Sequence, residues 1–194
     1  MDAGDGNGGK RGASPDADDV EAAARRGGGT ALIICYGNAL RSDDGLGWHA
    51  AALLADDPRL AGAQVLWRHQ LTPELAVDIR NASLVVLVDA SVGEEAGAIS
   101  VRRLDVTPAA GSAWSHHLGP AELVALAHEL WNASPPVFVV SVGAANLEVG
   151  DRLSPAVERA LPAVVDAVVT IVAEHGHPGE SELHHRQASH GDPG

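Results

Sequence analysis

Along the middle of the chain, short apolar runs alternate with stretches whose apolar positions recur at helical spacing. ALIICY (31–36) reads as a strand, the stretch from about Asp44 to Ala55 as a helix, and AQVLWRH (63–69) as a second strand. Pro73 to Arg80 reads as a helix, SLVVLVDA (83–90) as the most strongly apolar strand, and AISVRRL (98–104) alternates as an edge strand does. Pro120 to Leu130 then makes a helix and PVFVVSVG (136–143) a buried strand. Ser154 followed by Pro155 is a helix start, and an amphipathic helix runs from there to about Glu174. The order predicts an α/β protein: a single-domain three-layer sandwich whose mostly parallel, twisted sheet of about five strands carries helices on both faces. Such sheets bind ligands beyond the carboxyl ends of their strands. The positions to inspect therefore follow Tyr36, His69, Val88 and Val142, together with the loop before Pro120.

The pattern stops at both ends. Residues 1–29 place glycines among alternating charges, a composition that cannot recover its ordering entropy through apolar burial, and they are expected to form a disordered tail. A short helix from Val20 to Arg26 has nothing amphipathic behind it. The domain is expected over 30–175. Residues 176–194 read as a second disordered tail, and the histidines from His175 onward, His175, His177, His184, His185 and His190, could bind metal only loosely because no scaffold fixes them. Composition sharpens the fold class: 45% of the 194 residues are hydrophobic but only 3% are aromatic, so the core falls to Ala, Val, Leu and Ile, which suit covered parallel strands.

Charge and cysteine content narrow the partners. A formal charge of -13 without a basic stripe argues against nucleic acid, while the same field favours solubility and would draw in a basic peptide segment. The single cysteine, Cys35, lies in an apolar strand as a buried thiol, which points to the cytoplasm. No run of 18 apolar residues and no basic start with an apolar run behind it suggests a membrane span or export.

Three places carry candidate chemistry. In YGNALRSDDGLG (36–47), Gly37 and Asn38 allow an unusual turn, and Ser42 or Asp43 can cap the following helix. Asp43 suits the positive end of that helix. Asp44 lies beside Gly45 and Gly47, which weaken a helix start and suggest that something approaches this turn closely. Asp89 closes the apolar run Leu84 to Val88, where a parallel strand meets the ligand crevice; a turn role before Ser91-Val92-Gly93 is the bland account of it. WSHHLGPAEL (114–123) puts His116 and His117 just before a helix. An imidazole with two strand-end carboxylates makes an N,O,O metal site, and the residue pattern alone does not choose between the two histidines.

Other chemistries lack their marks. The turn after the first strand is not G-x-G-x-x-G, no phosphate-binding G-x-x-x-x-G-K-[ST] occurs, and no G-x-S-x-G elbow singles out a serine. Cys35 is not at a helix start that would activate its thiol. Trp48, Trp67, Trp114 and Trp131 are scattered and read as packing or rim residues.

Cys35-Tyr36-Gly37-Asn38-Ala39-Leu40-Arg41-Ser42-Asp43-Asp44-Gly45-Leu46-Gly47 resembles the opening motif G-x-G-N-x-L-x-x-D-[DE]-G-x-G of the nickel-iron hydrogenase maturation endopeptidases. The similarity continues through HQLTPEL (69–75), VLVDAS (86–91), SHHLGPAEL (115–123) and VSVGA (140–144), over about residues 31–174. HQLTPEL resembles the branch serving bidirectional or cytosolic hydrogenases. Cys35 stands where the family usually has glycine, and its side chain is expected to narrow the floor of the first turn. The resemblance implies a metal-binding triad of Asp44, Asp89 and His116, with His116 preferred because H-x-L-G matches its spacing to Leu118-Gly119. It implies an endopeptidase that removes the C-terminal extension of a hydrogenase large-subunit precursor after nickel insertion, the nickel being supplied by the substrate. Asp43 or a second carboxylate is then available to hold the attacking water. A monomer is expected. Two other readings remain open: a hydrolase acting on another peptide or a phosphate ester, and a non-catalytic nickel-binding checkpoint for the large subunit.

Overall fold

The computed structural model describes residues 29–105 and 118–176. Apart from Gly29 and Gly176, the two expected tails, with the Val20 to Arg26 helix, lie outside the described residues, as do Trp114, His116 and His117.

The elements run β1 (Thr30–Tyr36), a 3-10 turn (Ser42–Gly45), α1 (Leu46–Ala55), β2 (Gln64–Arg68), α2 (Leu75–Arg80), β3 (Ala82–Ser91), β4 (Ile99–Arg103), α3 (Pro120–Trp131), β5 (Val137–Gly143) and α4 (Pro155–His175). They form a five-stranded sheet in the order β2-β1-β3-β5-β4. All neighbours are parallel except β4, which runs antiparallel to β5 at one edge. The expected α/β sandwich, including its alternating edge strand, is what forms. From β1 the chain steps outward to β2 and then returns past β1 to β3, so the winding reverses between β1 and β3. That reversal opens a crevice at their carboxyl ends.

Strand periodicity divides the core in two. Ile33, Cys35, Val86, Val88, Val140 and Val142 face α1 and α4, where they meet Leu46, Ala50, Leu54, Val164 and Val168. Leu32, Ile34, Val85, Leu87, Val137 and Val139 face α2 and α3 and meet Leu75, Ile79, Leu123 and Ala127. Three strands buried on both faces explain why their sequences are continuous apolar runs rather than alternations.

Helix ends follow the sequence signals in two cases. The Ser154 hydroxyl accepts the Val157 N–H at 3.4 Å with Pro155 behind it, and α3 opens on Pro120 after an extended Gly119. The first helix differs from expectation. It starts at Leu46 rather than Asp44, its N-cap is Gly45 with no side-chain hydrogen bond, and neither Ser42 nor Asp43 caps it. The 3-10 turn takes up the preceding residues because their side chains are engaged elsewhere. The close approach suggested by Gly45 and Gly47 is real, but the approaching group is the protein's own chain. A Cβ on Gly47 would lie 2.7 Å from the Tyr36 nitrogen and 2.8 Å from its carbonyl carbon, and one on Gly45 would lie 3.2 Å from the Ala39 Cα.

Gly47→Ala should therefore destabilise the protein by roughly 1–3 kcal/mol, as overpacking does, although alanine is the better helix former by about 1 kcal/mol. Urea unfolding checks the sign. A stabilised variant would mean that α1 can move away from the end of β1 without cost.

Candidate active site

Gly37 begins the site. Its φ of 132° is open to glycine, and a Cβ there would collide with the Asp44 carbonyl. The Asn38 side chain accepts the Leu40 N–H at 2.9 Å, which closes the turn, and the Asn38 N–H donates to the Asp44 carboxylate at 3.2 Å. The glycine and asparagine of the motif thus shape a loop that folds back on Asp44. Asp44 is half-buried at the carboxyl edge of the sheet.

Asp89 comes from β3. Cys35 lies opposite Val88 in the β1–β3 register, so the next pair along is Tyr36 and Asp89, while Asp89 itself pairs with Ser141 of β5, which pairs with Ser100 of β4. Tyr36, Asp89, Ser141 and Ser100 form one transverse polar row on the α2–α3 face. The row beneath is Ile34, Leu87 and Val139, all in the second core. A carboxylate seated directly on that apolar layer loses hydration. Burial pushes Asp89 up to about 7; hydrogen bonding to Tyr36 and the Ala90 N–H, the latter at 2.7 Å, works against this, and the charge of Asp44 adds to it. Tyr36 is raised as well, first by burial and then by the charge of Asp89. Asp44, on the loop after β1, and Asp89, at the end of β3, both lie at the carboxyl edge of the sheet, at the switch point between β1 and β3, close enough for the charge of Asp44 to act on Asp89.

His116 and His117 are outside the described residues. The fold positions the residues just after them: α3 runs antiparallel to the parallel strands, so Gly119 and Pro120 stand at the carboxyl edge, and Leu118 packs against the second core. Among the described residues no group of three His, Cys, Asp or Glu side chains could hold a metal ion.

Asp43 does something the sequence did not reveal. It is fully buried, and one carboxylate oxygen accepts the N–H groups of Ala145 and Asn146, both at 2.8 Å, while the other accepts the Ser154 N–H at 2.6 Å. Burial alone would raise its pKa, but the Ser154, Asn146 and Ala145 N–H groups outweigh it and hold Asp43 below the usual carboxylate range. Ser42 extends the clasp by donating to the Glu148 carbonyl at 3.1 Å and accepting from the Asn146 side chain at 3.2 Å. The Asp43 carboxylate is thus engaged on both oxygens by backbone donors. The signal that could have exposed it is the pairing of a buried-looking acid with the loop after β5, which one sequence does not show.

The Cys35 thiol lies in the core against α1 and α4, on the sheet face opposite Tyr36 and Asp89. Burial pushes it up to about 12 and keeps it protonated. His69, at the end of β2, is exposed. A cavity of about 350 Å³ lined by Arg103, His128, Ser134 and Pro136 opens at the other edge of the sheet and contains none of the expected site residues.

Solved structures of similar shape define the class as a doubly wound α/β fold shared with known peptidases. The hydrogenase maturating endopeptidase HybD from Escherichia coli superposes with a TM-score of 0.64 at 22% identity, covering 76% of this chain and 94% of that one. A hydrogenase 2 maturation peptidase from a Thaumarchaeota archaeon gives 0.58 at 22% identity, with coverage of 74% and 98%. The maturation protease HycI from Thermococcus kodakarensis gives 0.59 at 17% identity, with coverage of 74% and 92%. No curated protein sequence matches significantly. The family model for HycI-type hydrogenase maturation proteases matches residues 70–171, more than half of the chain. The chain belongs to the hydrogenase maturation protease family, and the chemistry its crevice must explain is peptide-bond hydrolysis.

Asp43 and Asp89 should respond to mutation in opposite ways. Asp43→Ala strands three buried N–H donors and should cost about 2–3 kcal/mol in urea unfolding near neutral pH; an unchanged midpoint would mean that water replaces the clasp. For Asp89 the folded pKa lies above the unfolded value of 3.8, so between about pH 4 and 7 the native state holds a proton that the unfolded chain has lost. Stability from this group is complete below about pH 4 and is lost as pH rises through 7. In metal-free protein the melting temperature of Asp89→Asn should gain on wild type from pH 5 to 8 and then level off. A pH-independent difference would remove the perturbed carboxyl from the account.

Proposed function

We propose that the protein removes the C-terminal extension of a nickel-iron hydrogenase large-subunit precursor after nickel insertion, and that it reads the inserted nickel through Asp44, Asp89 and His116. The observation that carries this is the convergence of the Asp44 and Asp89 carboxylates at the switch point of a protein in the maturation protease family. Two oxygens and an imidazole nitrogen suit a borderline divalent ion, and three protein ligands leave positions for groups the substrate brings. The ion then belongs to the substrate, held there by cysteine thiolates near the cut. The raised proton affinity of Asp89 fits this division of labour: a carboxyl that is costly to ionise alone becomes an anion when a cation arrives. With Asp43 committed to the backbone, the attacking water must be oriented by the metal contact or by the crevice carboxylates. The place of action is the cytoplasm, where the reduced Cys35 belongs; among the described residues no helix is long and apolar enough to cross a membrane.

The competing checkpoint role, nickel binding without cleavage, has family membership against it. Metal-stripped enzyme mixed with nickel-loaded and nickel-free precursor, followed by mass spectrometry of the large subunit, tests the proposal. Cleavage should be confined to the loaded precursor. Asp44→Asn, Asp89→Asn and His116→Ala should each lose it by at least a hundredfold with the fold retained, while His117→Ala stays milder. Comparable cleavage of the nickel-free precursor would sink nickel recognition, and equal defects at His116 and His117 would overturn the choice of histidine.

A further inference from the structure

We propose that Leu40, Val92 and Val149 form a preorganised apolar docking rim around the crevice, and that it engages a segment of the precursor whose apolar side chains are flanked by lysine or arginine. The inference deepens the processing role proposed above and rests on it. Leu40, Val92 and Val149 are 68%, 81% and 90% exposed, the highest values among the large apolar side chains of the described residues. Single exposed apolar residues are ordinary, but these three follow β1, β3 and β5 and so stand at the same edge of the sheet as Asp44 and Asp89.

Their loops are locked to one another. The Gly150 N–H donates to the Leu40 carbonyl at 3.0 Å, the Ser42 N–H to the Gly150 carbonyl at 2.9 Å, and the Ala144 N–H to the Ser91 carbonyl at 2.9 Å. The Asp43 clasp ties the first loop to the third. Little ordering entropy remains to be lost when a partner covers side chains held this way. Charge selects the partner: Glu94 and Glu95 follow Val92, and Glu148 and Asp151 lie within two residues of Val149, outnumbering Arg41 and Arg152 on the same loops, in a chain of net charge -13. A second copy of this chain would press these acids against each other, whereas a basic segment neutralises them.

The test is steady-state cleavage of purified nickel-loaded precursor, read as large-subunit mass. The Leu40→Ser, Val92→Ser, Val149→Ser triple variant should raise KM at least tenfold with kcat retained, because the rim contributes binding that is equal in ground and transition states. Val149→Ser alone, at a side chain too exposed to matter for folding, should raise KM about threefold. Glu148→Lys should raise KM further, and added salt should raise the wild-type KM. Val77→Ser and Leu130→Ser, on exposed positions of α2 and α3, should change nothing. An unchanged KM in the triple variant, or a loss confined to kcat, would overturn the rim. So would a wild-type dimer at micromolar concentration that Val149→Ser dissociates in sedimentation, since the surface would then be a self-interface. A KM without salt dependence would overturn the basic partner. Failure of nickel dependence in wild type, with the KM effects intact, would instead count against the nickel proposal alone.

Discussion

The shape of the site depends on one buried anion. Asp43 collects backbone N–H groups from Ala145, Asn146 and Ser154, and by doing so joins the loop after β1 to the loop after β5 across more than 100 residues of sequence. The strands themselves fix only where those loops leave the sheet. Without the clasp, nothing in the sheet dictates the path between Gly37 and Leu46, because that path contains one short 3-10 turn and no strand pairing beyond a single bridge from Arg41 to Gly150. A carboxylate is the side chain for this task. It offers acceptors on both oxygens and no donor, so donors arriving from one loop can all be satisfied at once.

Adjacent aspartates in the motif thus have opposite assignments, and the difference lies in their surroundings. Asp43 is surrounded by donors and is held ionised. Asp44 has one backbone donor and faces the crevice, and Asp89 across from it sits over Leu87 on an apolar layer that makes its own charge costly. The clasp supplies rigidity while the crevice carboxylates are left with few donors. Both properties come from placing acids of the same type at positions that differ in the number of N–H groups within reach.

Most of the architecture was legible because apolar periodicity is a local signal. The β1, β3 and β5 runs, the Ser154 cap and the edge character of β4 all follow from residues within one turn or one strand. Asp89 was legible for the same reason, as an acid ending an apolar run. Asp44 was singled out by its glycine neighbours, and here the local signal misled: Gly47 makes room for the Tyr36 backbone, and only the turn geometry at Gly37 and Asn38 involves Asp44 itself. Asp43 was illegible because its partners lie on another loop. Tyr36 was missed because its importance comes from register, which places it beside Asp89 only after β1 and β3 pair. His116, selected by resemblance rather than by pattern, lies outside the described residues.

The crevice is therefore assembled from parts with different sensitivities to sequence change. Asp89 comes from the end of β3 and is fixed by the pairing of that strand with β1 and β5, whereas Asp44 lies on the loop after β1 and is held by the turn at Gly37 and Asn38. The shape of the crevice comes from loops held by hydrogen bonds to one buried side chain, so it can vary at every position that points outward without disturbing the strands. A family whose members must hydrolyse the same kind of bond on different partners benefits from this separation. Asp89 and the clasped turn that carries Asp44 stay fixed, while exposed side chains on the same loops can be replaced at little cost to the fold.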